Sequence, residues 1–337
     1  MQETIVNNNT NNTKEPFTWQ RCWKFLKKQN GWLFVMPALL IMIVFTFYPI
    51  VNALITAFLQ GYNGLTGNFH GVGFDNFKDV ITSSAGVGAD FIVCLENTLL
   101  FAVISVPVST LLALLISVAL NSIKGLQKAY QTIFFLPYLT NSLAMGAVFA
   151  TFFNIVGTSS NVETVGLVNH VLGLFGIAPI NWINAFQLGQ GFNPWAGRAV
   201  VIIFEIWSGL PFKILIIFSA LQAVNKQYYD AAKIDGATKY RTLTKITVPL
   251  ISPTLSYLLV TGIMGGLKSY SAIVGLFGPG MGPTSGGFEM GTMVGYIYKC
   301  IDSGATGLAS AGSLILFAII MVFTALNLWV SKKKVHY

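Results

Sequence analysis

Charge is what this chain has least of. Only 9% of its 337 residues are Asp, Glu, Lys or Arg, against 54% that are apolar, and its mean hydropathy is +0.65. A water-exposed surface needs far more charge, so a soluble domain is excluded and an integral membrane protein is implied. Cysteine is as scarce. Cys22, Cys94 and Cys300 form no C-x-x-C pair, and His70, His170 and His336 stand apart, which leaves a disulfide framework, a metal site and a nucleophile triad without support. The run G-x-x-x-x-G-K-[ST] is also missing, so P-loop hydrolysis of ATP by this chain alone is excluded. No metal and no cofactor of its own is expected.

What the chain has is long apolar runs. Crossing a hydrocarbon core of ~30 Å takes about 20 helical residues. Six segments reach that length, near Leu33–Leu59, Asn97–Leu120, Gln131–Val156, Arg198–Gln222, Ile251–Phe277 and Leu308–Val330. They predict an all-α fold of six transmembrane helices. Between them the basic residues are unevenly shared. Fifteen lie on one side, in the tail (Lys14, Arg21, Lys24, Lys27, Lys28), at Lys124 and Lys128, in the loop after the fourth segment, and at Lys332 to Lys334. The opposite side holds Lys78, Arg198 and Lys299. The positive-inside bias then predicts that both termini are cytoplasmic, and the net charge of +8 reports topology and not nucleic-acid binding.

Residues 1–30 read as a polar cytoplasmic tail, with the Asn-rich run NNNTNNT, followed by the basic and aromatic WQRCWKFLKK (Trp19 to Lys28), which suits the headgroup level. No small-residue cleavage site accompanies it, so the segment is expected to stay in the mature chain. Residues 31–337 read as one six-span domain with a polar loop at 223–250, and no internal repeat was found.

That loop carries the strongest local signal. Asn225 is placed to cap a helix over Lys226 to Ile234, and Gly236 to close it in the left-handed conformation. A second short helix follows, with Tyr240, Leu243 and Ile246 on one face among Lys239, Arg241 and Lys245, until Pro249 and Pro253 stop or kink the chain. An apolar face rimmed by cations and too short to bury itself fits a groove on a soluble partner. The pattern Asp230, Ala231, Ala232, then Asp235, Gly236, Ala237, then Ile246 and Pro249 resembles the coupling loop of binding-protein-dependent ABC importer permeases, E-A-A-x-x-D-G-A followed by I-x-x-P, with Asp at 230 in place of the commoner Glu. The resemblance implies the type I importer permease fold in a prokaryotic cytoplasmic membrane. It also implies that Tyr229, Asp230, Ala231, Ala232, Asp235, Gly236, Ala237, Tyr240, Leu243 and Pro249 contact a cytosolic ATPase.

Inside the spans, Glu205, Lys213 and Lys268 are costly in hydrocarbon and should face the bundle interior or a wet cavity. Counting 1.5 Å per residue along unbroken helices puts Glu205 and Lys268 at similar depth, predicting an ion pair or a shared solute contact, whereas Lys213 lies a further ~12 Å along. EIWSGLPF, Glu205 to Phe212, is similar to a W-x-G-x-P segment of maltose-type permeases. That resemblance nominates Glu205, Trp207, Ser208 and Gly209 as sugar contacts, with Gly265, Gly266, Lys268, Ser269 and Tyr270 from the fifth segment. Trp207 and Tyr270 serve equally as packing residues, and Gly262, Gly265 and Gly266 as close helix contacts. In the outer loops, FDNF (Phe74 to Phe77) and NWIN (Asn181 to Asn184) are similar to segments of carbohydrate importers and lie where a solute-binding protein would dock.

The reading that follows is a permease subunit, not an enzyme, translocating a carbohydrate, an oligosaccharide by preference. Its partners would be a second homologous permease, two cytosolic ATPases that hold ATP and Mg, an extracytoplasmic solute-binding protein and membrane lipid. The alternative is an ion-coupled secondary solute transporter, for which Glu205 is the only carboxylate within the spans.

Overall fold

The computed structural model describes residues 30–334 apart from 84–85, 124, 126, 158–161, 188–189 and 284–286. The predicted tail and interfacial segment therefore lie outside the described residues, save Asn30. The chain divides into two units, up to Ala53 and from Leu54. The first holds α1 (Asn30–Met42), a π-helical turn (Ile43–Phe47) and the start of α2 (Tyr48–Ala57). Together they give an apolar helix from Phe34 to Ala57 with mean hydropathy 2.4. The π turn has a local cause. Pro49 would clash with the carbonyl four residues back, and widening the turn lets the Tyr48 N–H reach the Ile43 carbonyl instead. The same device recurs at Leu243–Thr247, where the Val248 N–H bonds the Leu243 carbonyl just before Pro249.

The second unit is built on α4 (Phe91–Ser122) packed against α8 (Pro194–Ala223), with α12 (Ser252–Gly266) on α4 and α15 (Thr306–Lys334) on α12. Small side chains make the α4 contact possible: Ala102, Ser105, Ser109, Ala113 and Ser117 recur at three- and four-residue spacing and are buried. Their hydroxyls are satisfied locally, Ser105 donating to the Phe101 carbonyl (2.5 Å) and Thr110 to that of Val106 (2.7 Å), while Ser117 crosses to the Ile214 carbonyl (3.1 Å). The other face of α4 exposes Val103, Ile104, Leu111, Leu112 and Leu115, which suits hydrocarbon and not water.

Among the described residues four helices are long and apolar enough to cross a membrane, Phe34–Ala57, Phe91–Ser122, Pro194–Ala223 and Thr306–Trp329, and six are reached if two bent pairs each count as one span. One bent pair coincides with the third predicted segment, and the fifth predicted segment begins at the bend of the other. Over the third, α5 (Gln127–Phe135) runs into a 3-10 turn (Leu136–Leu139) at Pro137 and turns by 99° into α6 (Ser142–Phe153). Asn141 starts α6 by accepting from the Leu143 N–H at 2.9 Å. The second bent pair, Lys239–Leu250 with Ser252–Gly266, turns by 68° at Ile251, so it joins the polar loop to the start of the fifth predicted segment. Within that segment α12 stops at Gly266 before a separate α13 (Ser271–Phe277). Hydropathy alone does not register these breaks, because apolar residues continue through them.

Three two-stranded antiparallel pairs also depart from the all-α expectation: β1 (Leu59–Gln60) with β2 (Gly71–Val72), β3 (Ile155–Gly157) with β4 (Val162–Val165), and β5 (Phe186–Gln187) with β6 (Gln190–Gly191). The third lies within a predicted outer loop, and the first two begin at the ends of the first and third predicted spans. The FDNF and NWIN segments hold these loops together. Asn76, at the start of α3 (Asp75–Thr82), donates to the carbonyls of Ala57 (3.0 Å) and Leu59 (2.7 Å). Trp182 donates to Asn169 at 2.9 Å, on α7 (Leu167–Leu174), and packs on Phe153.

The tightest crossing is that of α6 and α13, where a Cβ at Gly275 would stand 2.5 Å from the Leu143 carbonyl oxygen and one at Gly146 would stand 2.9 Å from the Gly275 Cα. Gly275→Leu should therefore destabilise the protein by about 1–3 kcal/mol. Gly265→Ala, with nothing within 4 Å, should stay within about 0.5 kcal/mol. Thermal unfolding of the two variants in detergent checks the contrast.

Candidate functional site

The polar loop between α8 and α12 folds as its residues dictate. Asn225 accepts from the Gln227 N–H at 3.0 Å and starts α9 (Lys226–Ile234). Gly236, at φ +66°, ends it, with its own N–H on the Lys233 carbonyl (3.1 Å) and that of Ala237 on the Ala232 carbonyl (2.9 Å). Thr238, which sequence reading passed over, caps α10 (Lys239–Thr242) by accepting from Arg241. The π turn and α11 (Val248–Leu250) then lead to Ile251.

Burial sorts the predicted coupling residues into two groups. Ala232 is buried, and Tyr229 receives a hydrogen bond from the buried Thr247 at 3.3 Å, so these two fasten α9 to the chain that follows. Leu243 and Pro249 are half-buried, and so is Ala237. Asp230, Ala231, Asp235, Gly236 and Tyr240 point outward. So does Ile234, which sequence reading did not single out: it is 87% exposed and Tyr240 76%. Two large apolar side chains are thus held outward on a capped loop, where they leave apolar surface uncovered. The Asp230–Lys233 pair, at 3.3 Å on the surface, adds little to stability.

The predicted solute contacts gather at the far end of α12. Glu205, Ser208, Gly265, Lys268, Ser269 and Tyr270 line one cavity of about 290 Å3, with Ser142, Ser271 and Ala272 completing its wall. Of the two contacts expected of Glu205 and Lys268, the ion pair does not form among the described residues, while both residues line the same cavity. Glu205 instead accepts a hydrogen bond from Ser269, and the Lys268 side chain is exposed. The depth estimate assumed one continuous helix, whereas α12 ends at Gly266 and the next residues turn Ser269, not Lys268, onto the carboxylate. Trp207 belongs to an aromatic cluster with Phe149 (centroids 5.8 Å apart) and Phe204 (6.1 Å). Gly209 lies against Ser109, and Gly266 against Ala102, where a Cβ would approach to 3.1 Å. Gly262 is tighter still against Val106, so both it and Gly266 serve the close approach of α12 to α4.

Lys213 has a different setting. It is buried at the junction of α4, α8 and α12, and its ammonium donates to the Val106 carbonyl (3.1 Å) and to Ser109 Oγ (2.5 Å). Near the other end of these helices, Arg198 donates to Asn97 Oδ1 at 2.9 Å, and Asn97 donates to the carbonyls of Glu289 (2.9 Å) and Gly291 (3.0 Å). These partners are about a hundred or more residues apart, so spacing could not reveal them. Their one sequence signal is a lone polar residue within an apolar run.

The model of the family described as "Binding-protein-dependent transport system inner membrane component" matches residues 23–336. The chain belongs to that family. Membership makes it a membrane component of a binding-protein-dependent transport system, a permease, and gives no support to the ion-coupled alternative. Among its relatives, the probable ABC transporter permease protein MG188 of Mycoplasma genitalium is 31% identical over 85% of this chain and 80% of its own length. The multiple sugar-binding transport system permease protein MsmF of Streptococcus mutans is 28% identical over 92% of this chain and 98% of its own. A subunit in the crystal structure of a bacterial alginate ABC transporter, in complex with an alginate pentasaccharide-bound periplasmic protein, superposes with a TM-score of 0.74. It is 23% identical and covers 93% of this chain and 98% of its own. The helical architecture is thus that of ABC importer permeases.

A buried ammonium deprived of a partner is costly, whereas losing both partners together is nearly neutral. Ser109→Ala should cost about 1–3 kcal/mol with Lys213 present and much less in a Lys213→Met background. A double-mutant cycle on unfolding in detergent measures the difference.

Proposed function

We propose that this chain is the sugar-translocating permease subunit of an ABC importer, with six spans and both termini in the cytoplasm. The observation that carries the proposal is the loop from Lys226 to Leu250. It is rigidly capped, holds Ile234 and Tyr240 outward, and is joined directly to α8 and α12. Those two helices also supply Glu205, Ser208 and Gly265 to the cavity, with Lys268 and Ser269 just beyond α12. A protein that grips the loop therefore moves the cavity walls.

The partner is a cytosolic ATPase, two copies of which carry the ATP and Mg. Closure of the pair on nucleotide tilts the coupling loops of this chain and of a second, homologous permease, and the shared central cavity switches from inward- to outward-facing. Asp230, Ala231, Asp235, Gly236 and Tyr240 make the ATPase contact, while Tyr229, Ala232, Leu243 and Pro249 shape the loop. The bent third segment counts as one span, and α12 with α13 as the fifth. With residues 1–30 as the cytoplasmic tail and interfacial segment and 31–337 as the six-span domain, the fifteen basic residues of the tails and inner loops then lie on the cytoplasmic side.

A carbohydrate substrate is supported by the relatives, which include permeases for multiple sugars, arabinooligosaccharides and trehalose/maltose. The cavity has matching chemistry. The Glu205 carboxylate and the hydroxyls of Ser208 and Ser269 suit sugar hydroxyls, and the Tyr270 ring suits a sugar's apolar face. An extracytoplasmic solute-binding protein delivers the sugar.

Gly236 tests the coupling half of this reading. Nothing lies within 4 Å of a Cβ at Gly236, so a large side chain there has room in the isolated loop, at the cost of backbone strain at φ +66°, and obstructs a docked partner. Gly236→Trp should release the ATPase during co-purification, while Gly236→Asn, which tolerates the left-handed backbone, should retain it. Equal retention by both variants contradicts the docking. Glu205→Gln and Lys268→Met should each reduce sugar uptake at unchanged expression, and uptake equal to wild type would remove both residues from the pathway.

A further inference from the structure

A second cavity, of about 530 Å3, lies beyond the end of α12 that is remote from the coupling loop. Its walls come from the chain after α13 and from α14 (Met293–Asp302). Tyr270 lines it as well as the cavity of Glu205. The Tyr270 ring lies 4.6 Å from that of Tyr298, their planes inclined by 31°, and Tyr298 is 48% exposed. The two rings pack against one another where the cavities adjoin, and the exposed Tyr298 ring is the aromatic surface this cavity offers. Asp302 and Ser303 add a carboxylate and a hydroxyl to the same wall. The one cation there, Lys299, is occupied: it is bonded to Asp90 and sits 4.5 Å over the Phe288 ring. Asp302 has no ion pair among the described residues.

We propose that this cavity is a second solute subsite, which takes an uncharged sugar ring and holds the trailing part of an oligosaccharide while the leading ring reaches the Glu205 cavity. The proposal rests on the carbohydrate reading above. Its volume is in the range of small-molecule sites, ~300–1,000 Å3. An exposed aromatic platform stacks on the C–H face of a pyranose or furanose, and a carboxylate beside it accepts hydroxyl hydrogens. The same carboxylate repels a uronate or phosphate, and Lys299, held by Asp90, does not offset it. The subsite therefore adds selectivity for neutral oligomers and has no effect on sugars too short to span both cavities.

The test uses the complete transporter with its partner subunits in ATP-loaded proteoliposomes, at saturating solute receptor. Labelled neutral gluco-, galacto- and arabino-oligosaccharides of one to four rings, and a uronate series of the same lengths, are the probes. In the series that wild type accepts, Tyr298→Ala should slow uptake of sugars of three or more rings about fivefold and of the shortest accepted sugar less than twofold. Tyr298→Phe, which keeps the platform, should behave as wild type. Asp302→Asn should narrow the preference for neutral over uronate oligomers. Uptake equal to wild type in Tyr298→Ala at every length overturns the subsite and leaves the carbohydrate reading intact, and so does a loss that is the same at every length. Wild type that imports only single rings or only uronates also overturns the subsite alone. If wild type imports no sugar in either series, both readings fall together.

Discussion

A backbone that leaves the helical path inside a membrane has no water to turn to, so other parts of the protein must satisfy the N–H and C=O groups it frees. In this chain a relay of side chains performs that task around the end of α12. Asn97 on α4 holds the carbonyls of Glu289 and Gly291, Thr98 accepts from the Met293 N–H at 2.9 Å, and Thr292 donates to the Ser269 carbonyl at 2.8 Å. Ser269, held in this way, donates to Glu205. The break that ends α12 is thereby fixed, and with it the polar wall of the cavity. The donors from Asn97, Thr292 and Ser269 are neutral groups rather than members of a buried ion pair, which keeps the desolvation cost low.

The same constraint explains why charge is so scarce. Lys213 is tolerated because a carbonyl and a hydroxyl of α4 meet its ammonium at a junction where Gly209 and Gly262 leave room. Arg198 is tolerated because Asn97 and Glu96 receive it. Most remaining basic residues lie in the tails and the coupling loop, outside the apolar segments. Function and insertion thus draw on the same few charges, and the apolar faces are left free to meet lipid.

How much of this could be read from residue order follows from the range of each interaction. Asn225 and Gly236 act on backbone within a few residues of themselves, so the helix Lys226–Ile234 and its end were predicted from spacing and found in place. The apolar runs located the long helices for the same reason. Glu205 and Lys268 were assigned to one another on the assumption of straight helices, and the break after Gly266 gave the carboxylate to Ser269 instead. The two π turns, each two residues before a proline, were within reach of local reasoning but were not drawn from it. Asn97, Ser109 and Tyr298 owe their settings to partners far away in the chain or to a cavity that exists only once the helices pack. No local pattern encodes them.

Everything mechanical in this account depends on the loop between α8 and α12 being seated in a nucleotide-driven partner. The most direct measurement places a photoactivatable residue at Ile234 in the assembled transporter and identifies what it captures with and without ATP. The account predicts a crosslink to the cytosolic ATPase, altered in yield by nucleotide. Capture of lipid or solvent alone in every nucleotide state would contradict it.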